Sequence, residues 1–215
     1  MPKYFLAAVA ALASLSVTAD LAAADQASGW EIGPIIRGKN LSPGMPARPM
    51  PTRGGWYFDF PVGSAAAGHV HYVTGRTGAL AGTSRIVMRY RIDAEPGTRF
   101  VAQENPRAPA TVSIYLQRRG DNWTGRGRYQ YYRWYAPVPT VRELAPGEHE
   151  ISVRLDDPYW ISVAGRNAIK TPGAMEDAIG DLDRIGLVFG TTAHRGHGVF
   201  ATRPARFTLL SFEIR

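Results

Sequence analysis

Between Arg85 and Asp93 the chain reads RIVMRYRID, with Ile86, Met88, Tyr90 and Ile92 on one face of an extended backbone and Arg85, Val87, Arg89 and Arg91 on the other. A period of two is the spacing of a strand that rests one face on a core and turns the other to water, and it does not fit the 3.6-residue period of a helix. The same alternation recurs in GWYFDF, where Trp56, Phe58 and Phe60 share a side. Further strands are expected at Trp30 to Ile36, His69 to Thr74, Thr111 to Arg118, Arg126 to Tyr135, His149 to Leu155, Arg184 to Phe189 and Arg206 to Ile214. The turn signals EPGT, RGDNWTG and APGE separate them, and the prolines from Pro34 to Pro51 form a connection that is neither helix nor central strand. One helix is expected in TPGAMEDAIGDLDR, with Thr171 as cap, Pro172 in the first turn, and Met175, Ile179 and Leu182 on one side. Its Gly173 and Gly180 keep it short. The expected fold is therefore all-β, an antiparallel jelly-roll β-sandwich with one short helix. Its core should hold Ile86, Met88, Tyr90, Ile92, Leu187, Phe189, Leu210 and Phe212.

The chain must reach stability without disulfides, because it has no cysteine, and thiolate chemistry is excluded for the same reason. Its first residues pair a basic Lys3 with an apolar run from Phe5 to Val17 and end in Ala22, Ala23 and Ala24. That is the layout of a secretory signal peptide, and the run is shorter than the roughly 20 residues that span a bilayer. Residues 1–24 are expected to be removed and 25–215 to form one sandwich domain, periplasmic or secreted. No further membrane span and no nucleic-acid partner are expected. The net charge is +7, with only three lysines among 25 basic residues. Arginine offers a planar fork to carboxylate, phosphate or sulfate, so an anionic partner and a merely solubilising surface are both open.

The stretch RGRYQYYRWY, Arg126 to Tyr135, is the densest aromatic and basic run in the chain. If Gly120 and Gly125 flank a loop of Asp121, Asn122, Trp123 and Thr124, a hairpin pairs Leu116 with Tyr129 and Ile114 with Tyr131 on a core face. Tyr115, Arg128, Gln130, Tyr132 and Trp134 then share the other face and are the candidate ligand-binding residues. Rings beside planar polar groups suit sugars, acidic or neutral. A slip of one residue would exchange the faces, so the assignment depends on register.

On RIVMRYRID, PGEHEISVRLDDPYW, DRIGLVFG and GHGVFATRPARFTLLSFEIR, the chain resembles the carbohydrate-binding-module or galactose-binding-like jelly rolls, a group that includes the complex I intermediate-associated protein family. The resemblance implies a fold and, by extension, a non-catalytic glycan-binding module. The intermediate-associated branch implies instead a protein-interaction or assembly factor. Fold alone assigns neither. It also brings calcium into view as a cofactor, for which Asp156 with Asp157 and Glu176 with Asp177 are the available pairs, though neither sits in a known ligand pattern. No cofactor is assigned.

His69 and His71, two apart in HVHY, and His194 and His197 in HRGHG could meet at a metal, but no carboxylate follows at a ligand spacing and no metal site is assigned. No catalytic residue is assigned either, since nucleophile elbow, phosphate loop and dinucleotide fingerprint are all missing. One enzymatic alternative stands on residue types alone. Arg128, Gln130, Tyr132 and His71 could neutralise a uronate and move its proton, as in a jelly-roll polysaccharide lyase.

Overall fold

The computed structural model describes residues 27–82 and 84–215. The expected signal segment and its expected cleavage point lie outside them. Two antiparallel sheets face each other. The larger runs in the order Trp30–Gly33, Tyr72–Arg76, Leu182–Gly190, Thr111–Arg118, Arg133–Tyr135, Ile161–Ser162, with Arg142–Glu143 pairing the far end of Thr111–Arg118. The smaller runs Gly147–Arg154, Arg85–Ala94, Ala205–Ile214, Gly55–Asp59, Met50–Thr52. From Gly55 onward the long strands alternate between the two sheets, which makes the sandwich a jelly roll.

The period-two face of Arg85–Ala94 is buried as its pattern requires, with Ile86, Met88 and Tyr90 fully enclosed. Around them sits an aromatic cluster. The Phe58 and Phe207 rings stack at 5.2 Å, Tyr90 and Phe207 at 4.9 Å, and Phe189 meets Phe58 edge-on at 5.7 Å. Each such side chain stabilises the fold by roughly 1.5–3 kcal/mol through burial, which is how a chain without cysteines holds together.

The last strand departs from simple alternation. A bulge between Leu209 and Ser211 takes Leu210 out of the ladder, so Phe207 and Leu209 occupy the core and Leu210 is only half-buried. Phe212 still faces inward, opposite Met88, but lies half-buried at the sheet's end against Trp30. The helix spans Pro172–Gly180 and buries Met175 and Ile179. Thr171 precedes it without a capping hydrogen bond, because its hydroxyl donates backward to the Asn167 carbonyl at 3.1 Å. Leu182 is buried as well, but in the following strand.

Candidate functional site

The Arg126–Tyr135 run does not form the expected hairpin strand. Gly125 and Gly127 adopt φ of 62° and 57°, left-handed values that turn the chain into a 3-10 turn over Gly127–Tyr131. A period of three replaces the period of two there. Tyr129 and Tyr132 consequently share a side, ring edge to ring at 5.0 Å, and Tyr131 stacks on Trp134 at 6.1 Å. The strand proper is only Arg133–Tyr135, in a register that pairs Trp134 with Leu116 and Tyr135 with Tyr115. The residues proposed to share one ligand face are therefore dispersed. Trp134, 0% exposed, belongs to the core between the sheets and donates its indole N–H to the Tyr131 carbonyl. Tyr115, also 0% exposed, is sealed within the opposite face of the sheet. Arg128, Gln130 and Tyr132 line a shallow depression of about 300 Å³ beside the helix. Tyr129, expected in the core, is half-buried with the Arg128 guanidinium 4.9 Å over its ring.

What the structure assembles instead lies on the outer face of the seven-stranded sheet. Alternation sends Val112, Ile114, Leu116 and Trp134 inward, and leaves Ser113, Tyr115, Gln117, Arg133 and Tyr135 outward. This outer face is polar and aromatic. The Tyr72 and Tyr135 hydroxyls meet at 2.8 Å, and the Tyr115 hydroxyl donates to Thr74 Oγ1 at 3.1 Å. Burial raises the pKa of Tyr72 and Tyr115 first of all, so both phenols stay protonated across the physiological range.

Loops wall this face into a cleft of about 390 Å³, lined by Tyr72, Tyr135, Trp123, Arg133, Arg195 and the histidines 71, 194 and 197 together with the aliphatic Ile161 and Val163. The Asp121–Thr124 loop is pinned by a buried ion pair. Asp121 and Arg133 expose 0% and 5% of their side chains, and the carboxylate also accepts from Gln117 Nε2 at 3.0 Å and from the Trp123 amide at 3.2 Å. Arg133 Nη2 donates to the Trp123 carbonyl at 3.1 Å, and its guanidinium lies 4.7 Å over the Trp123 ring. Trp123 itself sits at φ of 68°, half-buried, its ring edge-on to Tyr72 at 5.1 Å.

The paired histidines do converge. His71 Nδ1 lies 2.7 Å from the Gly196 carbonyl, which can only accept, so that nitrogen carries the proton and Nε2 accepts from His69 Nδ1 at 3.3 Å. Gly196 permits this approach, since a Cβ there would collide with the Tyr72 hydroxyl. Among the described residues no group of three or more histidine or acidic side chains is placed to hold a metal ion. The acidic pairs weighed for calcium have other company. Asp156 accepts from Arg154 Nε at 2.7 Å, and Asp177 lies 3.5 Å from Arg118.

Burial lowers the His71 pKa to about 4, opposed by the Gly196 carbonyl and reinforced by His69 and His197. His69 is lowered by burial as well. An unfolded chain would take up these protons at an ordinary histidine pKa, roughly 6.5. Between that pH and 4 the unfolded state binds more protons, so stability is full above the upper value and falls as the pH drops through the window. The expected loss is at most about 3 kcal/mol for His71 by pH 4. Thermal unfolding from pH 7 to pH 4 checks it: the decline should flatten in His71→Gln, and an unchanged profile in that variant would remove the histidine as its source.

Sequence reasoning had singled out His71, His194 and His197, which line the cleft, but missed Trp123, Tyr72, Tyr135 and Arg195. Two signals pointed to them: Trp123 lies in RGDNWTG between two glycines, and Arg195 lies between the histidines of HRGHG.

No protein-family model matches the chain, and no curated protein sequence does. Among solved structures the chain is similar to the xylan-binding module CBM15, at 12% identity over 86% of this chain and 92% of that one, with a TM-score of 0.42. It is also similar to a CBM4 structure, at 14% identity over 86% of each chain and a TM-score of 0.40. A third likeness is to β-agarase A in complex with oligoagarose, at 8% identity over 86% of this chain and 83% of that one, with a TM-score of 0.39.

Proposed function

We propose that the mature chain is an exported glycan-binding module that seats a saccharide in the cleft on the outer face of the seven-stranded sheet, one sugar ring against Trp123. The observation that carries this reading is the conformation of Trp123. A bulky residue in the left-handed region costs about 1–2 kcal/mol, and here the Asp121–Arg133 pair holds it there at a cleft wall. Backbone strain of this kind collects at ligand-gripping positions. The floor supplies the complement: the Tyr72 and Tyr135 hydroxyls and imidazole groups that can exchange hydrogen bonds with sugar hydroxyls, amid apolar Ile161 and Val163. Arginine and aromatic side chains thus meet on one face, made by residues other than Tyr115, Arg128, Gln130, Tyr132 and Trp134.

Trp123→Ala tests the assignment. Loss of the ring is expected to weaken glycan binding about tenfold, while the melting temperature moves by a few degrees at most, as befits a half-buried side chain. The measurement is titration calorimetry on glycans retained in an array of neutral and acidic chains. If the array retains no wild-type protein, the glycan reading is withdrawn. Growth of ultraviolet absorbance from unsaturated ends in uronate polymers would make the cleft that of a lyase.

A further inference from the structure

Two arginines line the cleft, and their surroundings differ. Arg133 is neutralised by Asp121. Arg195 is only 9% exposed, yet among the described residues no carboxylate lies within ion-pair distance of it. Its Nη1 donates to the Ala136 carbonyl and its Nε to the Thr192 carbonyl at 3.3 Å, which engages two of five N–H donors. The Tyr135 ring lies 5.9 Å below, a contact worth far less than a carboxylate. Among the described residues the cleft lining contains no aspartate or glutamate.

We infer that the cleft takes a saccharide bearing an oxyanion, a uronate carboxylate or a sulfate ester, and that Arg195 receives that charge. The inference rests on the glycan reading of the same cleft. A guanidinium withdrawn from water without an opposite charge is costly, and burial pulls the Arg195 pKa below its ordinary value, the opposite of what an acidic neighbour would do. A structural role would be served by a partner such as Arg133 has. A ligand anion supplies that missing charge only when bound, and the guanidinium fork can offer it two parallel hydrogen bonds. The loop that carries Arg195 is fixed beforehand, with the Gly196 amide donating to the Phe189 carbonyl at 2.9 Å and the His194 amide to Thr191 Oγ1 at 3.0 Å.

The test compares three probes by calorimetry: oligogalacturonate, the same oligosaccharide after its carboxyl groups are reduced to alcohols, and a sulfated galactan oligosaccharide. Wild type should prefer one of the two acidic probes over the reduced chain by roughly 10- to 100-fold, the range of a charge-assisted contact. The preferred probe separates carboxylate from sulfate recognition. Arg195→Gln should lose that preference yet keep the affinity for the reduced chain, with a melting temperature equal to wild type or above it. Arg195→Lys, which keeps the charge without the fork, should retain part of it and stands in if the glutamine variant does not fold. Arg53→Gln, exposed in the turn between Met50–Thr52 and Gly55–Asp59 of the other sheet, should change nothing. Equal wild-type affinity for acidic and reduced chains, or a preference that survives in Arg195→Gln, overturns the inference and leaves the glycan reading standing. Retention of no probe and no array glycan overturns both.

Discussion

Met88→Asp is expected to yield no soluble folded protein. Met88 is fully enclosed between Ile151 on one neighbouring strand and Phe212 on the other. Aspartate there either stays charged without a partner or takes up a proton, and in both cases the core loses a thioether that filled its gap. The carboxyl penalty and the lost packing together come to about 5 kcal/mol or more, against a total stability of about 5–15 kcal/mol for an ordinary domain. Phe212→Asp is the comparison. Its ring is half-buried at the sheet's end, where water can reach a carboxylate, so this variant should fold with a lowered melting temperature. Soluble yield and far-ultraviolet circular dichroism decide between them. Equal yields from the two variants would mean that the inward face of Arg85–Ala94 has been misassigned.

The second large effect is expected at Asp121. Asp121→Ala strands the Arg133 guanidinium in a site where its Nε already has no hydrogen-bond partner among the described residues. Breaking a buried pair from one side costs about 3–5 kcal/mol, which for a domain of this size corresponds to a fall of roughly 10 °C in melting temperature. Arg133→Met alone leaves a buried carboxylate and should cost a similar amount. The double variant removes both charges, and most of the loss should return. A double-mutant cycle by thermal unfolding measures this coupling. Additive losses would show that the two side chains do not depend on each other.

Strands whose side chains alternate in polarity are the part of the fold that is legible in the sequence. Thr111 to Arg118 was expected and Thr111–Arg118 is found, because each outward position there differs in polarity from its inward neighbours. The final strand was placed correctly, but its bulge at Leu210 was not, since a single extra residue leaves no mark in a pattern of Leu-Leu-Ser-Phe. The aromatic run failed for a different reason. RGRYQYYRWY alternates well enough to pass for a strand, yet Gly125 and Gly127 open it with two left-handed turns, and tyrosine and arginine tolerate the 3-10 conformation that follows. The site was legible only in fragments. His71, His194 and His197 drew notice as imidazoles, whereas Trp123, Tyr135 and Arg195 reach the same cleft from chain positions up to 72 residues apart. Local spacing carries no record of such a meeting, which is set by strand order.

The ion pair beneath the Asp121–Thr124 loop also has a kinetic meaning. A loop that must be ordered by its ligand slows association and spends part of the contact energy on restricting its own motion. Here Asp121, Gln117 and Arg133 fix the Trp123 backbone, so on the proposed glycan reading the ring is in place before a saccharide arrives. Encounter should then proceed at similar speed for good and poor ligands, and the difference between them should lie in how long each one stays.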